Sequence, residues 1–453
     1  MFHRLRQSDH EFLSAKRWKT RLVFWVGAVA IGTAAAGFAV GARYAEKLFH
    51  LGTDRYYWLP LILTPAGLVA VAWFTRKFIP GAEGSGIPQA IAALTSRHEP
   101  HRKVLLSMRI AIGKIFTTLI GLACGASIGR EGPTVHVGAA IMYSIGRLAH
   151  FPRHDLERGL ILAGGAAGVA AAFNTPLAGI LFAIEEMSRS FDEKSSGTMF
   201  LAVVLAGVVA VAWLGEYTYF GHTEAALLAA TDWIAVAVCG VAGGLLGGIF
   251  SLVLISGNRR LRPYVSRFPL RVAAICGITV AVAGVLSGGA VFGTGYEEAS
   301  KLVTGVDEGS VYYPFLKMLA TAASYFSGIP GGIFAPSLST GAGLGHLLSL
   351  GMPDVPTTAV VILGMVAYFS GVVQTPITAF VIVMEMTDNR SILLPLMATS
   401  FIAYGVSRII SPQPIYRTLA EAFVWQPPEE ETEQKPDAED SLSEGKGNEN
   451  EVK

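Results

Sequence analysis

Three carboxylates stand in apolar sequence, where a charge is costly and by default marks a functional site. The first is Glu131, in Gly125-Ala-Ser-Ile-Gly129-Arg130-Glu131-Gly132-Pro133-Thr134-Val135-His136-Val137-Gly138. Gly129 and Gly132 let the backbone leave helical geometry, and Pro133 suits a first helical turn, where no N–H is needed. The spacing predicts Glu131 just before a helix N-terminus inside a bilayer. Exposed amides and the positive dipole end favour an anion there, and broken helices of this kind build ion sites in transporters. The other two carboxylates, Glu185 and Glu186, close an apolar helical run. The same stretch also completes the serine-nucleophile pattern G-x-S-x-G at Ser127, which would suit an intramembrane serine hydrolase. That chemistry needs a strand-turn-helix elbow and a histidine base. Ser127 instead ends an apolar helix, and the nearest histidine, His136, lies in the next one. The match is read as coincidental.

Composition sets the elements that must hold these groups. Hydrophobic residues make up 52% of the 453-residue chain and charged residues 15%, with a mean hydropathy of +0.48. This describes an integral membrane protein and excludes a soluble enzyme. The 51 glycines suit helices that pack closely or break within a bilayer. Cys124, Cys239 and Cys276 sit in apolar segments at unrelated spacings, which gives neither a disulfide framework nor a metal cluster. Residues 1–21 are charged and lack an apolar core, so no cleavable signal peptide is expected. The formal charge of +1 hides an asymmetry: 35 bases and 34 acids overall, but three bases and ten acids after Gln426, leave +8 on the remainder.

Along the chain, Arg4, Arg6, Lys16, Arg17, Lys19 and Arg21 place the N-terminus in the cytoplasm by the positive-inside rule. Phe12, Leu13 and Trp18 suggest a short interfacial helix there. Long apolar segments follow at 22–48 and 56–78, the second opened by the interfacial aromatics Tyr56, Tyr57 and Trp58. Gly84-Ser85-Gly86-Ile87-Pro88 then opens a short helix ending near Arg97. Helices are expected over 105–128, 133–148, 158–187, 197–215 and 229–256. A basic connector runs from Arg259 to Arg271. In the second half, helices are expected over 272–292, 312–326, 336–350, 357–371, 375–387 and 391–410. Several are too short to cross roughly 30 Å as straight helices, which points to half-helices. After Trp425 the chain turns polar and acidic and reads as a disordered tail.

The halves repeat. Gly84–Ala90 aligns with Gly293–Ala299 at an offset of 209, Gly125–Ala139 with Gly328–Ala342 at 203, and Asn174–Glu185 with Gln374–Glu385 at 200. Internal repeats put transport sites at their interface, near the midplane, and an inverted pair is the commoner use. Differences between the copies separate scaffold from function. Glu185 has a partner in Glu385, which suggests a shared role such as satisfying backbone donors. Glu131 corresponds to Phe334 and Glu186 to Met386, so no architectural requirement explains either charge. Glu186 is either a proton relay or a solvated helix end near the cytoplasmic surface.

Gly84-Ser85-Gly86-Ile87-Pro88, Gly129-Arg130-Glu131-Gly132-Pro133 and Gly331-Gly332-Ile333-Phe334-Ala335-Pro336 resemble the three anion-site signatures of the CLC family of chloride channels and chloride/proton exchangers. Asn174-Thr-Pro-Leu-Ala-Gly and Glu385-Met-Thr-Asp-Asn389 resemble further family segments, and Pro414-Ile-Tyr416 resembles the stretch bearing its site tyrosine. The match runs from residue 22 to about 420, and the motifs stand in the family's order. It implies an all-α integral membrane protein of prokaryotic type, with two inverted-topology repeats and about eighteen tilted or partial helices, assembled as a homodimer with one pore per subunit. The divisions would be a basic segment (1–21), a first repeat (22–216), a second repeat (217–410), a C-terminal helix with the tyrosine (411–426) and the acidic tail (427–453). The soluble regulatory domains of many relatives are not expected.

Carried over residue by residue, the resemblance implies chloride held by the hydroxyls of Ser85 and Tyr416 and the amides of Ile333 and Phe334, next to Gly84. An outer position would use amides around Glu131 and Gly132 and the helix start at Ala335. Glu131 would be the gate and outer proton carrier, occupying the outer position when ionised and leaving it when protonated. A glutamate at Glu186 marks exchangers of the family, which implies chloride/proton antiport with Glu186 as inner relay; the alternative is a passive chloride channel on the same fold. Ser85 suits chloride, where relatives with proline are associated with nitrate and those with methionine with fluoride. Gln89 stands where some relatives have an acid, and no function is attached to it. His136 reads as a packed, hydrogen-bonded helix residue. The implied partners are chloride, protons and the bilayer, with no nucleic acid, cofactor, metal or enzymatic activity. The implied location is a bacterial inner membrane with both termini cytoplasmic.

Overall fold

The computed structural model describes residues 15–96, 98–149, 154–188, 193–215, 218–223, 225–227, 229, 232–306 and 309–424. The expected basic N-terminal arm up to Ser14, Trp425 and the acidic tail lie outside the described residues. Among those residues there are helices and two isolated backbone bridges, with no strand. In chain order the first repeat holds α1 (Ala15–Arg55), α2 (Pro60–Phe78), α3 (Ile87–Thr95), α4 (Glu99–Leu105), α5 (Met108–Ala123), α6 (Glu131–Leu148), α7 (His154–Phe173), α8 (Pro176–Phe182) and α9 (Glu193–Leu214). The second holds α10 (Trp233–Arg267), α11 (Pro269–Leu286), α12 (Tyr296–Thr304), α13 (Tyr313–Phe326), α14 (Phe334–Ser349), α15 (Thr357–Val373), α16 (Pro376–Thr387) and α17 (Leu393–Ile410), and α18 (Ile415–Ala420) follows it. By length and composition, six helical stretches are apolar enough to cross a membrane: 21–55, 60–78, 99–123, 233–267, 269–286 and 393–410. The rest are shorter or more polar, as the half-helix reading expects.

Of the boundaries that differ from the sequence reading, three bear on the architecture. Trp18 belongs to the first turns of α1, which runs unbroken to Arg55, so it is not part of a separate interfacial helix. The basic connector Arg259–Arg271 is mostly helix: α10 continues to Arg267, and Phe268 alone separates it from Pro269 at the head of α11. The expected helix over 158–187 is cut in two. Asn174 adopts a left-handed conformation (φ 58°), Pro176 starts α8, and the run ends in a π-helical turn over Ala183–Ser188.

The repeat is written into the backbone. Left-handed residues come in matched pairs, Gly84 (φ 68°) with Gly293 (φ 66°) and Asn174 (φ 58°) with Gln374 (φ 59°). Gly129 and its counterpart Gly332 pair with each other in an antiparallel bridge, each amide donating to the other's carbonyl at 2.7 Å. This contact sits on the pseudo-twofold axis of an inverted pair. Within each repeat the central helices pack as mates, α6 on α7 and α14 on α15. Gly138 and Gly341 make those crossings possible, because a Cβ at either would press into the carbonyl of Gly164 or Gly364. Close approach of small residues supplies the dispersion contact that replaces a hydrophobic drive between helices in lipid.

Candidate functional site

Three helix N-termini converge. Gly86, left-handed at φ 96°, turns the chain into α3, with Pro88 in its first turn. Pro133 and Pro336 occupy the first turns of α6 and α14, whose first residues are Glu131 and Phe334. Glu131 is thus the first helical residue, one place further in than the sequence reading put it. The incoming loops are stitched together: Gly84 N–H donates to Ile329 O at 3.2 Å and Gly331 N–H to Gly84 O at 3.1 Å, alongside the Gly129–Gly332 pair. Gly132 leaves no room for a side chain beside Ser85, so the α3 and α6 starts are in contact. Tyr416, on the first turn of α18, stacks its ring on Phe334 at 6.3 Å and 17°.

Glu131 is buried. Its carboxylate lies against its own amide and that of Ala335, the second residue of α14. Tyr219 donates its phenolic proton to Oε1 at 3.0 Å, and Arg130 Nε stands 3.9 Å from the same oxygen. A second helix's N-terminus therefore faces a carboxylate carried by the first, which is the geometry of an anion at a dipole end. Beneath it, the Ser85 and Tyr416 side chains are almost wholly buried and within each other's reach. Yet neither hydroxyl makes a regular hydrogen bond among the described residues. Buried hydroxyls are normally satisfied, and two that are not, beside amide-rich helix starts, fit an anion held by partial charges. Ile333 and Phe334, whose amides the sequence reading assigns to the same site, are buried at that helix start.

Glu186 is wholly buried and an electrostatic neighbour of the Tyr416 hydroxyl, so it is not a solvated helix end. It rides on the π turn, for which the matching segment of α16 has regular α-helix. π turns recur at functional sites. Its neighbour behaves differently. Glu185 accepts from the amides of Ile377 and Thr378 at 3.1 and 2.7 Å and from the Thr378 hydroxyl at 2.8 Å. Reciprocally, Glu385 accepts from the amides of Leu177 and Ala178 at 3.2 and 2.8 Å. Each carboxylate caps the other repeat's half-helix, which is the shared role the repeat pattern assigns.

Ser127 is a joint between the repeats: its hydroxyl meets Thr321 at 3.0 Å and its amide donates to Ser324 at 3.0 Å, with no histidine at hand. His136 bonds the Leu105 carbonyl through Nε2 at 2.9 Å, and Gln89 donates to the carbonyls of Gly81 and Glu83. Both are scaffold. Two residues escaped sequence reasoning. Lys114 is wholly buried in α5 and donates to Gly84 O at 3.2 Å, beside Ser85. A lysine in an apolar segment, repeated as Lys317 at the offset of 203, was the signal to use. Tyr219 carried no signal, since it lies in a loop without a motif.

Two cavities approach the site. One of about 220 Å³ is lined by Arg43, Glu46, Arg130, Tyr219 and Tyr296. The other, about 260 Å³, is lined by Arg76, Ser85, Arg262 and Tyr325 among others.

Residues 66–408 match the voltage gated chloride channel family. Among curated proteins, the H(+)/Cl(-) exchange transporter ClcA of Vibrio parahaemolyticus is 31% identical over 396 residues, 82% of this chain and 81% of that one. Among solved structures, a slow cyanobacterial Cl-/H+ antiporter superposes with a TM-score of 0.77 at 24% identity, covering 89% of this chain and 97% of the other. A CLC-type fluoride/proton antiporter gives 0.75 at 23%, covering 88% and 97%. The last two likenesses show the fold.

Proposed function

The chain belongs to the CLC (voltage gated chloride channel) family, a family of transporters and channels rather than enzymes, and from that premise we propose that it exchanges chloride for protons across a membrane. The observation that carries the reading is the seat of Glu131: an ionisable carboxylate on the α14 amides, above two buried hydroxyls that accept no regular partner among the described residues. Chloride would bind between Ser85, Tyr416 and the amides of Ile333 and Phe334, beside Gly84. An outer position, at the amides of Gly132 and Ala335, would be shared in turn by chloride and the Glu131 carboxylate. Ionised, Glu131 competes with chloride as an anion; protonated, it loses its hold on the amides and leaves, carrying its proton. Glu186, wholly buried and an electrostatic neighbour of the Tyr416 hydroxyl, would pass that proton to the inner solution. An antiporter of this design works as a homodimer with one pore in each subunit.

The test is a flux experiment in vesicles. A chloride gradient should drive protons uphill in the opposite direction, and Glu131→Gln, a mimic of the protonated gate, should abolish that coupling while leaving an anion flux insensitive to pH. Chloride flux without proton movement in the wild type would instead make the protein a passive channel.

A further inference from the structure

Among the described residues between α9 and α10, Tyr219 reaches the Glu131 carboxylate. Tyr219 is buried, and its phenol donates to Glu131 Oε1 at 3.0 Å. The ring is wedged between Phe173 at 5.4 Å, Tyr296 at 5.1 Å and Phe220 at 4.9 Å, with the Arg130 guanidinium 5.9 Å over its face. The backbone beneath it is tied to the second repeat. Phe220 N–H donates to Met386 O at 2.9 Å, in the last turn of α16, and Ser300 on α12 donates to Phe220 O at 3.2 Å. Further along, Asn389 donates to Ala225 O at 2.8 Å. The phenol's position is thus set by α12 and α16, whereas the carboxylate it holds belongs to α6. Tyr219 also lines the 220 Å³ cavity, together with Arg130, the residue before Glu131.

We propose that Tyr219 is a latch on the gate: its hydroxyl holds the ionised Glu131 carboxylate in its seat, so that the gate leaves only when this bond is given up. The proposal rests on reading Glu131 as the gate. A hydrogen bond to an ionised acceptor is about twice as strong as a neutral one, so protonation of Glu131 weakens the latch at the moment the gate must open. The other charged and titratable groups facing the carboxyl are Arg130 on its own turn and Tyr416 from α18; neither is carried by the loop. The latch therefore gives the second repeat a hold on the gate of the first.

Tyr219→Phe keeps the ring and removes the donor. Chloride and proton fluxes would be measured against pH in vesicles for the wild type, Tyr219→Phe, Glu131→Gln and the double variant. The expected result is a flux profile displaced to higher pH by about one unit, a roughly tenfold shift in gate opening of the size one charge-assisted hydrogen bond supports. Neutral-pH turnover should rise with it, at an unchanged chloride-to-proton ratio. In the Glu131→Gln background the same substitution should change nothing. A merely structural tyrosine would alter the amount of folded protein but not the pH profile. If Glu131→Gln uncouples transport while Tyr219→Phe leaves profile and turnover unchanged, the latch is wrong and the gate stands. If Glu131→Gln retains pH-dependent proton transport, the gate reading fails and the latch with it.

Discussion

A carboxylate seated on backbone amides is an anion that the protein supplies itself, and protonation removes its claim to the seat. The proposed role of Glu131 as a gate rests on that property and needs no larger motion. Glu186 poses a different problem, since it is wholly buried beside Tyr416 on a π turn. A relay acid must release its proton to work, so an amide of the same volume should stop protons and spare the anion path. We expect Glu186→Gln to keep chloride flux and lose proton flux; normal coupling in that variant would remove Glu186 from the relay. Ser85→Pro deletes a buried hydroxyl donor at the proposed anion position and should shift preference from chloride towards nitrate, read as the ratio of the two fluxes. Both glutamates were legible in the sequence because each is a charge without a counterpart in the other repeat. Tyr219 was not, because a loop aromatic reveals its target only when the chain is folded. The environment of Glu186 was open for a related reason: a charge at the end of an apolar run looks the same in sequence whether water or protein surrounds it.

Among elements, the half-helices α8 and α16 are the informative pair. Each begins at a proline after a threonine, which leaves amides in its first turn without intrahelical acceptors. A carboxylate from the other repeat takes two of those amides on each side. The exchange ties the repeats together and neutralises two positive dipole ends. Glu185→Gln weakens one cap, since an amide oxygen accepts less strongly than a carboxylate and its NH₂ end has no acceptor among those donors. A loss of about 1–3 kcal/mol follows, visible as a lower melting temperature in detergent with the chloride-to-proton ratio unchanged. A changed ratio with unchanged stability would move Glu185 from scaffold to proton path. The matching glutamates were visible in the sequence as a repeat. The break at Asn174 was missed although Pro176 was there to mark it, because the apolar pattern continues on both sides; the left-handed backbone at Asn174 and the helix start at Pro176 divide the run.

At the scale of the molecule, two related halves use one set of devices for unequal ends. Lys114 and Lys317 show it. Each is wholly buried on the helix that precedes the central glycine loop. Lys114 donates to Gly84 O at 3.2 Å, and Lys317 to Gly293 O and Val291 O, both at 2.9 Å. The two glycines are repeat mates, and each opens the turn into a short helix, α3 or α12. In the second repeat the place beyond that turn is filled by the chain itself: the Thr294 amide donates to the Glu46 carboxylate at 2.6 Å. In the first repeat the corresponding residue is Ser85, whose hydroxyl accepts no such internal partner. The lysines should therefore separate under the same substitution. Lys317→Met leaves two buried carbonyls without a donor and should lower stability, with flux per folded protein and selectivity near the wild-type level. Lys114→Met removes a basic group next to the proposed chloride position as well as a donor, so chloride affinity should fall and the flux should saturate at higher chloride. Titration of chloride by calorimetry, set beside melting temperature for both variants, decides the matter: equal losses of affinity in the two would mean that the second cradle also takes part in transport.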